Sequence, residues 1–109
     1  MQINTIRTIT ELSQSDGRVY VHLPTREIAD RFMRQAASEG FTFKDGVKPT
    51  ARSATQVMAV NYNHTINFVG AIGHIAFESG AKTVGGQSLL RMVYTGSIFV
   101  PHISHTYEK

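Results

Sequence analysis

Side chains that could hold a phosphate group are concentrated between residues 44 and 55. This stretch carries three cationic and three hydroxyl side chains, namely Lys44, Lys48, Arg52, Thr50, Ser53 and Thr55. Cations and hydroxyls donate the hydrogen bonds that a phosphate accepts, and a glycine such as Gly46 lets the backbone approach a ligand closely. The pattern predicts a phosphate site made by Lys48, Thr50, Arg52 and Ser53. The alternative is a solvated loop that only connects two elements.

A second group of polar side chains is expected on the open face of a β-sheet. It combines an aromatic ring, an imidazole, an amide, a hydroxyl and a guanidinium, from Tyr20, His22, Asn67, Thr65 and Arg91. An aromatic ring can stack on a base, while amide and guanidinium groups can hold the edges of that base. RNA-binding domains use several sheet aromatics in a fixed motif, which this sequence lacks. We therefore expect a single nucleotide-like ligand here, and we regard a nucleic acid as a poor match.

The sequence motifs of several enzyme classes are absent. Lys82-Thr83 resembles the end of a phosphate-binding loop, but that motif requires glycine where this chain has Ala81 and Ala76. Neither G-x-G-x-x-G nor H-E-x-x-H occurs. His102-Ile-Ser104 is one His-x-Ser segment, whereas two-histidine phosphoesterases need two such segments. We expect no catalytic residue and no cofactor, so the domain is predicted to bind its ligand without catalysis.

The histidines do not form a metal-binding pattern. The chain has five histidines and no cysteine, which excludes disulfides, thiolate nucleophiles and the common zinc ribbons. His102 and His105 are close in sequence, whereas the other three are scattered, and only Glu78 and Glu108 are carboxylates near a histidine in sequence. The sequence therefore predicts no metal site.

Length and composition predict a single intracellular domain. A chain of 109 residues has room for one core, and an apolar fraction of 41% indicates a folded domain with a modest core. The net charge of +3 is small: it would not repel an anionic partner, but it is far below the charge density of a nucleic-acid-binding arm. No apolar block follows a basic head at the start, and the longest apolar stretch, residues 68–72, is too short to cross a bilayer. We expect an intracellular protein without a membrane partner.

The N-terminal half predicts one strand and one strong helix. Residues 1–15 have apolar side chains at helical spacing and form an N-terminal extension. Residues 18–23 alternate between apolar and polar side chains, which predicts a strand that is buried on one face. Thr25 can cap a helix over residues 26–39, and Gly40 suits the position after its end.

The C-terminal half predicts mainly strands. The expected elements are a strand at 41–43, a hairpin of 56–61 and 65–69, a helix at 70–79, a strand at 89–95, a further strand or extension at 98–100 and a tail at 101–109. Turns are expected at Asp16-Gly17 and, in the hairpin, at Asn63 in a left-handed conformation. These elements predict a single α+β domain over residues 1–109, with an antiparallel sheet and one main helix. Their order matches the split βαβ arrangement of ferredoxin-like domains.

Charged residues are nearly absent from the second half. Residues 53–77 contain no Asp, Glu, Lys or Arg, and Arg91 is the one charged residue between Thr83 and Tyr107. Solvated edges and faces usually carry interspersed charges. Two explanations are open: a central hairpin that is buried on both sides, or a homo-oligomer whose subunits cover residues 53–100.

Two segments resemble a known group of proteins. Residues 39–50 (EGFTFKDGVKPT) and 57–77 (VMAVNYNHTINFVGAIGHIAF) resemble small uncharacterised proteins of gut Firmicutes and their phages. The group has no assigned activity, so no residue role is carried over. What the resemblance implies is a setting: a small accessory protein that blunts a host defence in the bacterial cytoplasm.

Together these expectations give a ranked set of functions. The first is a non-catalytic, oligomeric protein that sequesters a phosphorylated nucleotide-like immune signal. The second is an anti-CRISPR-like inhibitor that binds a host defence protein. A small nucleic-acid-binding accessory protein is a third alternative.

Overall fold

The computed structural model of the chain describes residues 5–14, 18–80, 82–84 and 86–101. Within these ranges the helices are α1 (Ile9–Ser13), α2 (Arg26–Ser38) and α3 (Ala71–Ser79), with a 3₁₀ turn at Pro49–Ala51. The strands are β1 (Arg18–His22), β2 (Thr42–Phe43), β3 (Val57–Asn61), β4 (Thr65–Phe68), β5 (Thr83–Val84), β6 (Gln87–Tyr94) and β7 (Phe99–Pro101). Helices and a sheet in one domain agree with the expected α+β class.

The sheet is mixed, with β1 near its centre. Within the described residues the strand order is β2-β4-β3-β1-β6-β5, and β7 pairs with β6. Strand β1 is antiparallel to β3 but parallel to β6, and β2 is parallel to β4. The expectation of an antiparallel sheet is therefore wrong, and the ferredoxin-like order is not confirmed. The parallel β1–β6 pair joins segments far apart in sequence, where no turn signal specifies the partner.

Helix α2 agrees with its sequence signals. The Thr25 hydroxyl accepts a hydrogen bond from the backbone N–H of Ile28 at 3.1 Å, which caps the helix start. Gly40 follows the helix end with φ of +87°, a left-handed conformation that glycine adopts without a Cβ penalty. The buried residues of the helix are Ala29, Phe32, Met33 and Ala36. This stripe faces the sheet, as its spacing predicts.

One face of the sheet, here called the α2 face, carries the main core. Val19 is in register with Val60, Val60 with Ile66, and Ile66 with Phe43, so these side chains form a row across β1, β3, β4 and β2. All four belong to one buried cluster together with Phe32 of α2. Burying an aromatic or branched aliphatic side chain contributes about 1.5–3 kcal/mol each.

The N-terminal helix is much shorter than its spacing predicts. Thr8 caps α1 by accepting a hydrogen bond from the Glu11 N–H, so the helix begins only at Ile9. Before it, Ile6 is extended and forms a β-bridge with Phe99. Ile9 and Leu12 are fully buried, so this extension packs into the core. Residues 1–4 and the expected turn at Asp16-Gly17 lie outside the described residues.

Glu39 fastens α1 to the end of α2. Its carboxylate accepts hydrogen bonds from the N–H groups of Ile9 and Thr10 at 2.9 and 2.7 Å, from the Thr10 hydroxyl at 2.7 Å and from the Gln35 amide at 2.7 Å. Partial burial opposes ionisation, but these hydrogen bonds outweigh it and lower the pKa of the Glu39 carboxyl. The negative charge also lies at the N-terminus of α1, where the helix dipole favours it.

The β3–β4 hairpin forms as expected, but its turn uses a different residue. His64 has the positive φ, 65°, that the sequence pattern assigned to Asn63. The Asn63 side chain instead accepts a hydrogen bond from the Thr65 hydroxyl at 2.6 Å, and the His64 ring stacks on Phe41 at 4.5 Å. These two contacts favour the observed turn.

The C-terminal strands are paired with each other. Strand β6 begins two residues before the expected strand, at Gln87, and ends one residue before its expected end, at Tyr94. Strand β7 pairs antiparallel with β6, with Phe99 opposite Tyr94. Pro101, expected to start the tail, ends β7, and residues 102–109 lie outside the described residues.

Helix α3 packs on the opposite face of the sheet, here called the α3 face. Tyr20, Val57, Ala59 and Leu89 form a second buried cluster there with Phe77 of the helix. Gly73 permits this contact, because a Cβ at its position would lie 2.2 Å from Val69 Cγ1 and 3.2 Å from the Tyr20 hydroxyl. The sheet is therefore covered by helices on both faces at β1.

We predict that Gly73→Ala destabilises the domain by about 1–3 kcal/mol, because the added methyl group would clash with Val69 Cγ1 and crowd the Tyr20 hydroxyl, so that α3 or these side chains must shift. Helix propensity alone would make Gly73→Ala more stable than wild type, since alanine is favoured over glycine by about 1 kcal/mol inside a helix. Gly70→Ala is the matched control, because a Cβ at Gly70 meets nothing within 4 Å. Urea unfolding measures both variants. Equal stability of wild type and Gly73→Ala would contradict the packing of α3.

We predict that Glu39→Gln lowers stability near neutral pH by about 1–2 kcal/mol, since hydrogen bonds to a charged acceptor are replaced by weaker ones. The native pKa of Glu39 is lowered, so its contribution is present above the ordinary value of 4.5 and is lost as the pH falls through the native pKa. The difference in unfolding free energy between wild type and Glu39→Gln should therefore shrink as the pH falls. Thermal unfolding between about pH 3 and pH 7 tests this. Asp30→Asn, at an exposed ion pair on the same helix, should show little change at any pH.

Candidate functional site

The predicted sheet residues lie on one face, as the alternation in β1 indicates. The register aligns Asn67 with Ala59, Ala59 with Tyr20, and Tyr20 with Arg91, in a row across β4, β3, β1 and β6. Side chains alternate between faces along a strand, so His22, two residues after Tyr20, shares this face. The row is on the α3 face.

This face is not open where Tyr20 lies. Tyr20 is 6% exposed, and its ring lies directly under Gly73 of α3. Sequence alternation assigned Tyr20 to a solvated face because it cannot show that a later helix covers that face. A ligand could not stack on Tyr20 while α3 is in place.

His22 is half-buried at the edge of α3. Its ring lies 5.8 Å from the Phe77 ring, with an angle of 44° between the planes. Burial is the largest influence and lowers the pKa of His22, and nearby His74 lowers it further, while Glu78 raises it. The net effect favours the neutral imidazole. His22 thus belongs to a contact between strand and helix.

Arg91 interacts with the last turn of α3. Its Nη1 donates to the backbone carbonyl of Phe77 at 3.4 Å. Carbonyls in the last turn of a helix carry the negative end of the helix dipole. The Phe77 carbonyl also accepts a hydrogen bond from the Gly80 N–H at 3.4 Å. The half-buried Arg91 guanidinium therefore lies at the negative end of α3.

Asn67 is the exposed member of the predicted sheet group. Its side-chain oxygen accepts a hydrogen bond from the Asn61 amide at 2.8 Å, and its own amide donates to the Phe68 carbonyl at 2.9 Å. The Asn61 amide also donates to the Thr65 hydroxyl at 3.1 Å. These side chains form an uncharged network beside the hairpin turn.

The loop residues lie on the other side of the sheet. Pro49 is buried, Lys48, Thr50 and Ser53 are exposed, and Arg52 is half-buried. The 3₁₀ turn Pro49–Ala51 packs against α2, and the Arg26 guanidinium donates to the Ala54 carbonyl at 3.4 Å. The loop is therefore attached to the α2 face. The eight predicted residues accordingly fall into two groups on opposite faces and cannot form one pocket.

Arg52 is held by two neighbours. Its Nη2 lies 2.8 Å from Asp45 Oδ2, and its guanidinium carbon lies 4.6 Å from the centroid of the Phe43 ring. The hydrogen bond from Arg52 lowers the pKa of the exposed Asp45 carboxyl. Asp45 was not predicted as a partner, although it lies in the same short loop.

Phe68 extends this arrangement to the surface. Its ring centroid is 5.1 Å from that of Phe43, and the residue is 41% exposed. We call Lys48, Arg52, Phe43 and Phe68 the arginine–aromatic surface. Sequence reasoning missed Phe68, although its spacing from Ile66 in β4 places it on the α2 face, the face that the loop covers.

A separate open cavity of about 330 Å³ lies between α2 and the turn that joins β6 to β7. Arg31 lines it and donates from Nη1 to the Gly96 carbonyl at 3.4 Å. The predicted site residues do not line this cavity. Within the described ranges, no three His, Asp or Glu side chains come together in a way that could hold a metal ion. His102 and His105 lie outside the described residues.

We predict that His22 makes the domain less stable in mild acid. Because its native pKa is lowered, the folded state disfavours the proton, and stability is lost as the pH falls below the ordinary value of 6.5. His22→Gln should flatten the decline of the melting temperature between about pH 7.5 and pH 5. His64→Asn, at an exposed histidine that needs a left-handed conformation, is the control and should keep the wild-type slope. Identical slopes in all three proteins would contradict the burial of His22.

Comparison with known proteins adds no relative. No protein-family model, curated protein or solved structure matches the chain. None of the helices in the described part of the chain has the length and apolar character that a bilayer crossing requires.

Proposed function

We propose that this domain binds a phosphorylated, nucleotide-like molecule without transforming it. The observation that carries the proposal is the arginine–aromatic surface, where Arg52 lies 4.6 Å over Phe43 and Phe43 contacts the exposed Phe68 ring. A nucleotide needs a cation for its phosphates and an apolar ring on which its base can stack. Arg52 and Phe68 offer these two groups side by side.

Lys48 and the loop hydroxyls would complete the phosphate contacts. Lys48 directly precedes the 3₁₀ turn, and Thr50 and Ser53 are exposed on the same loop. The buried Pro49 and the hydrogen bond from Arg26 hold this loop against α2. A loop that is ordered before binding loses less conformational entropy when the ligand arrives.

Asp45 would compete with the ligand for Arg52. The Asp45–Arg52 pair is exposed at the surface, where solvent screens the attraction between the two charges. A phosphate carries more charge and more acceptor oxygens than a carboxylate, so it can displace Asp45. In the absence of ligand, Asp45 keeps the guanidinium oriented over Phe43.

The resemblance of residues 39–50 and 57–77 to phage-type proteins supplies the biological role in this proposal. A small protein that holds a nucleotide-like signal without degrading it lowers the free concentration of that signal. In a bacterial cytoplasm this would blunt a defence that depends on the signal.

A second candidate function is inhibition of a host defence protein by direct contact. The observation that favours it is Tyr62, which is 85% exposed in the β3–β4 turn. Tyrosines at loop tips supply much of the contact area in protein-binding surfaces. Such an inhibitor would depend on Tyr62 and not on Arg52.

We predict that Lys48→Ala/Arg52→Ala abolishes nucleotide binding while the protein stays folded. Each charge-assisted contact contributes about 1.5–3 kcal/mol, or roughly tenfold to hundredfold in affinity. Phe68→Leu should weaken binding through the lost stacking surface, whereas Asp45→Asn should strengthen it by removing the competing carboxylate. Isothermal titration calorimetry, after a thermal-shift screen of mononucleotides and cyclic nucleotides, measures these changes.

Lys82→Ala is the matched control, since Lys82 is an exposed cation beside β5, at the other end of the sheet. It should bind like wild type. If no nucleotide raises the melting temperature of the wild type, or if the double variant binds as tightly as Lys82→Ala, the proposed function is wrong. Loss of inhibitory activity in Tyr62→Ala, with Arg52→Ala unaffected, would support the second candidate.

A further inference from the structure

The exposed large apolar side chains of the described residues all belong to the charge-free stretch 53–77. They are Tyr62, Phe68 and Ile75, with exposures of 85%, 41% and 67%. Strand β3, in the same stretch, has buried side chains on both faces within the chain, so its lack of charge needs no partner. Ile75 has no such cover within the chain, because it lies on the outer side of α3, and α3 buries its inner side against the sheet.

The outer stripe of helix α3 carries a single charge, close to its C-terminal end. Gly73 and Phe77 face the sheet, whereas Ala71, Ile75, Glu78 and Ser79 are exposed. Residues with this spacing lie on one side of a helix. The stripe carries no charge before Glu78, although the solvent side of a surface helix is normally charged or polar. The outer side of α3 therefore has the character of a contact surface.

We propose that two copies of this chain associate through α3, packed antiparallel about a two-fold axis at Ile75. Ile75 is the central residue of α3 (Ala71–Ser79), so the two-fold axis places it against its counterpart in the second copy. Ala71 of each copy then lies opposite Ser79 of the other copy, at the two ends of the contact. Both residues are small, so they let the helices approach closely.

Charge complementarity identifies a second copy as the occupant. The N-terminus of α3 has no side-chain cap and no acidic residue in its first turn, while its one acid, Glu78, is in the last turn. A negative charge is unfavourable at a helix C-terminus and favourable at an N-terminus. In the antiparallel pair, each Glu78 lies beside the first turn of the other helix. Each copy also carries a net charge of +3, so the copies repel each other least where they meet on uncharged surface.

The contact is small, which predicts a weak dimer. A helix of nine residues is about 13.5 Å long. The area that it buries falls below the roughly 800 Å² per partner of a stable interface, so association should be transient and concentration-dependent. This surface is separate from Lys48 and Arg52, and dimer formation is independent of the proposed ligand.

Sedimentation equilibrium over concentrations up to about 1 mM tests the proposal, because a contact of this size needs high concentration. The wild type should shift from its monomer mass of 12.1 kDa toward twice that mass as its concentration rises. Ile75→Lys should remain monomeric with an unchanged melting temperature, because two lysines would meet at the two-fold axis. Glu78→Gln should weaken the dimer at least twofold through the lost interaction with the partner helix.

Ser38→Lys is the matched control, since it adds the same charge at an exposed position of α2, away from α3. It should dimerise like wild type. A wild type that stays monomeric over the whole range would overturn the proposal, as would an Ile75→Lys variant that dimerises like Ser38→Lys. A monomeric wild type whose Ile75 instead contacts a different protein would also overturn it. Nucleotide binding by a monomeric Ile75→Lys variant would leave the proposed function intact.

Discussion

Strand β1 is covered by helices on both of its faces, and this packing determines where the rest of the chain can offer chemistry to a ligand. Val19 and Val21 lie in the core beneath α2, while Tyr20 lies under α3 with 6% of its surface exposed. The second contact depends on Gly73, where a Cβ would clash with Val69 Cγ1 at 2.2 Å and crowd the Tyr20 hydroxyl at 3.2 Å. With β3 and β6 hydrogen-bonded to its two edges, the central part of β1, Val19 to Val21, is enclosed on every side.

The centre of the sheet is covered, whereas the arginine–aromatic surface is accessible at the β2–β4 end of the sheet. There the loop that follows β2 folds back over the α2 face, and Arg52 stacks on Phe43 next to the exposed Phe68. The Asp45 carboxylate keeps the guanidinium in place without burying either charge. The cation is therefore oriented but still available, which suits reversible capture of an anion better than it suits a structural role.

Local signals in the sequence were sufficient for several elements and insufficient for their assembly. Thr25 and Gly40 mark the ends of α2, and the residues of the β3–β4 hairpin alternate as strands do, so both elements could be predicted. The parallel pairing of β1 with β6 could not, because it joins distant segments without a turn between them. Tyr20 was expected on an open face for the same reason: alternation along a strand shows which side chains share a face but not which helix covers it. The pairing of Arg52 with Asp45 is local, and charge pattern within the loop could have suggested it.

The central claim is that a nucleotide-like ligand binds at the loop and the end of β4, and not on the α3 face. The most direct measurement is a ¹H–¹⁵N NMR titration of the full chain with the nucleotide that gives the largest thermal shift. The structure predicts that the amide signals of Lys48, Arg52 and Phe68 move with ligand concentration, while those of Tyr20, His22 and Arg91 do not. Shifts concentrated on Tyr20, His22 and Arg91 would contradict this claim, because they would place the ligand on the α3 face.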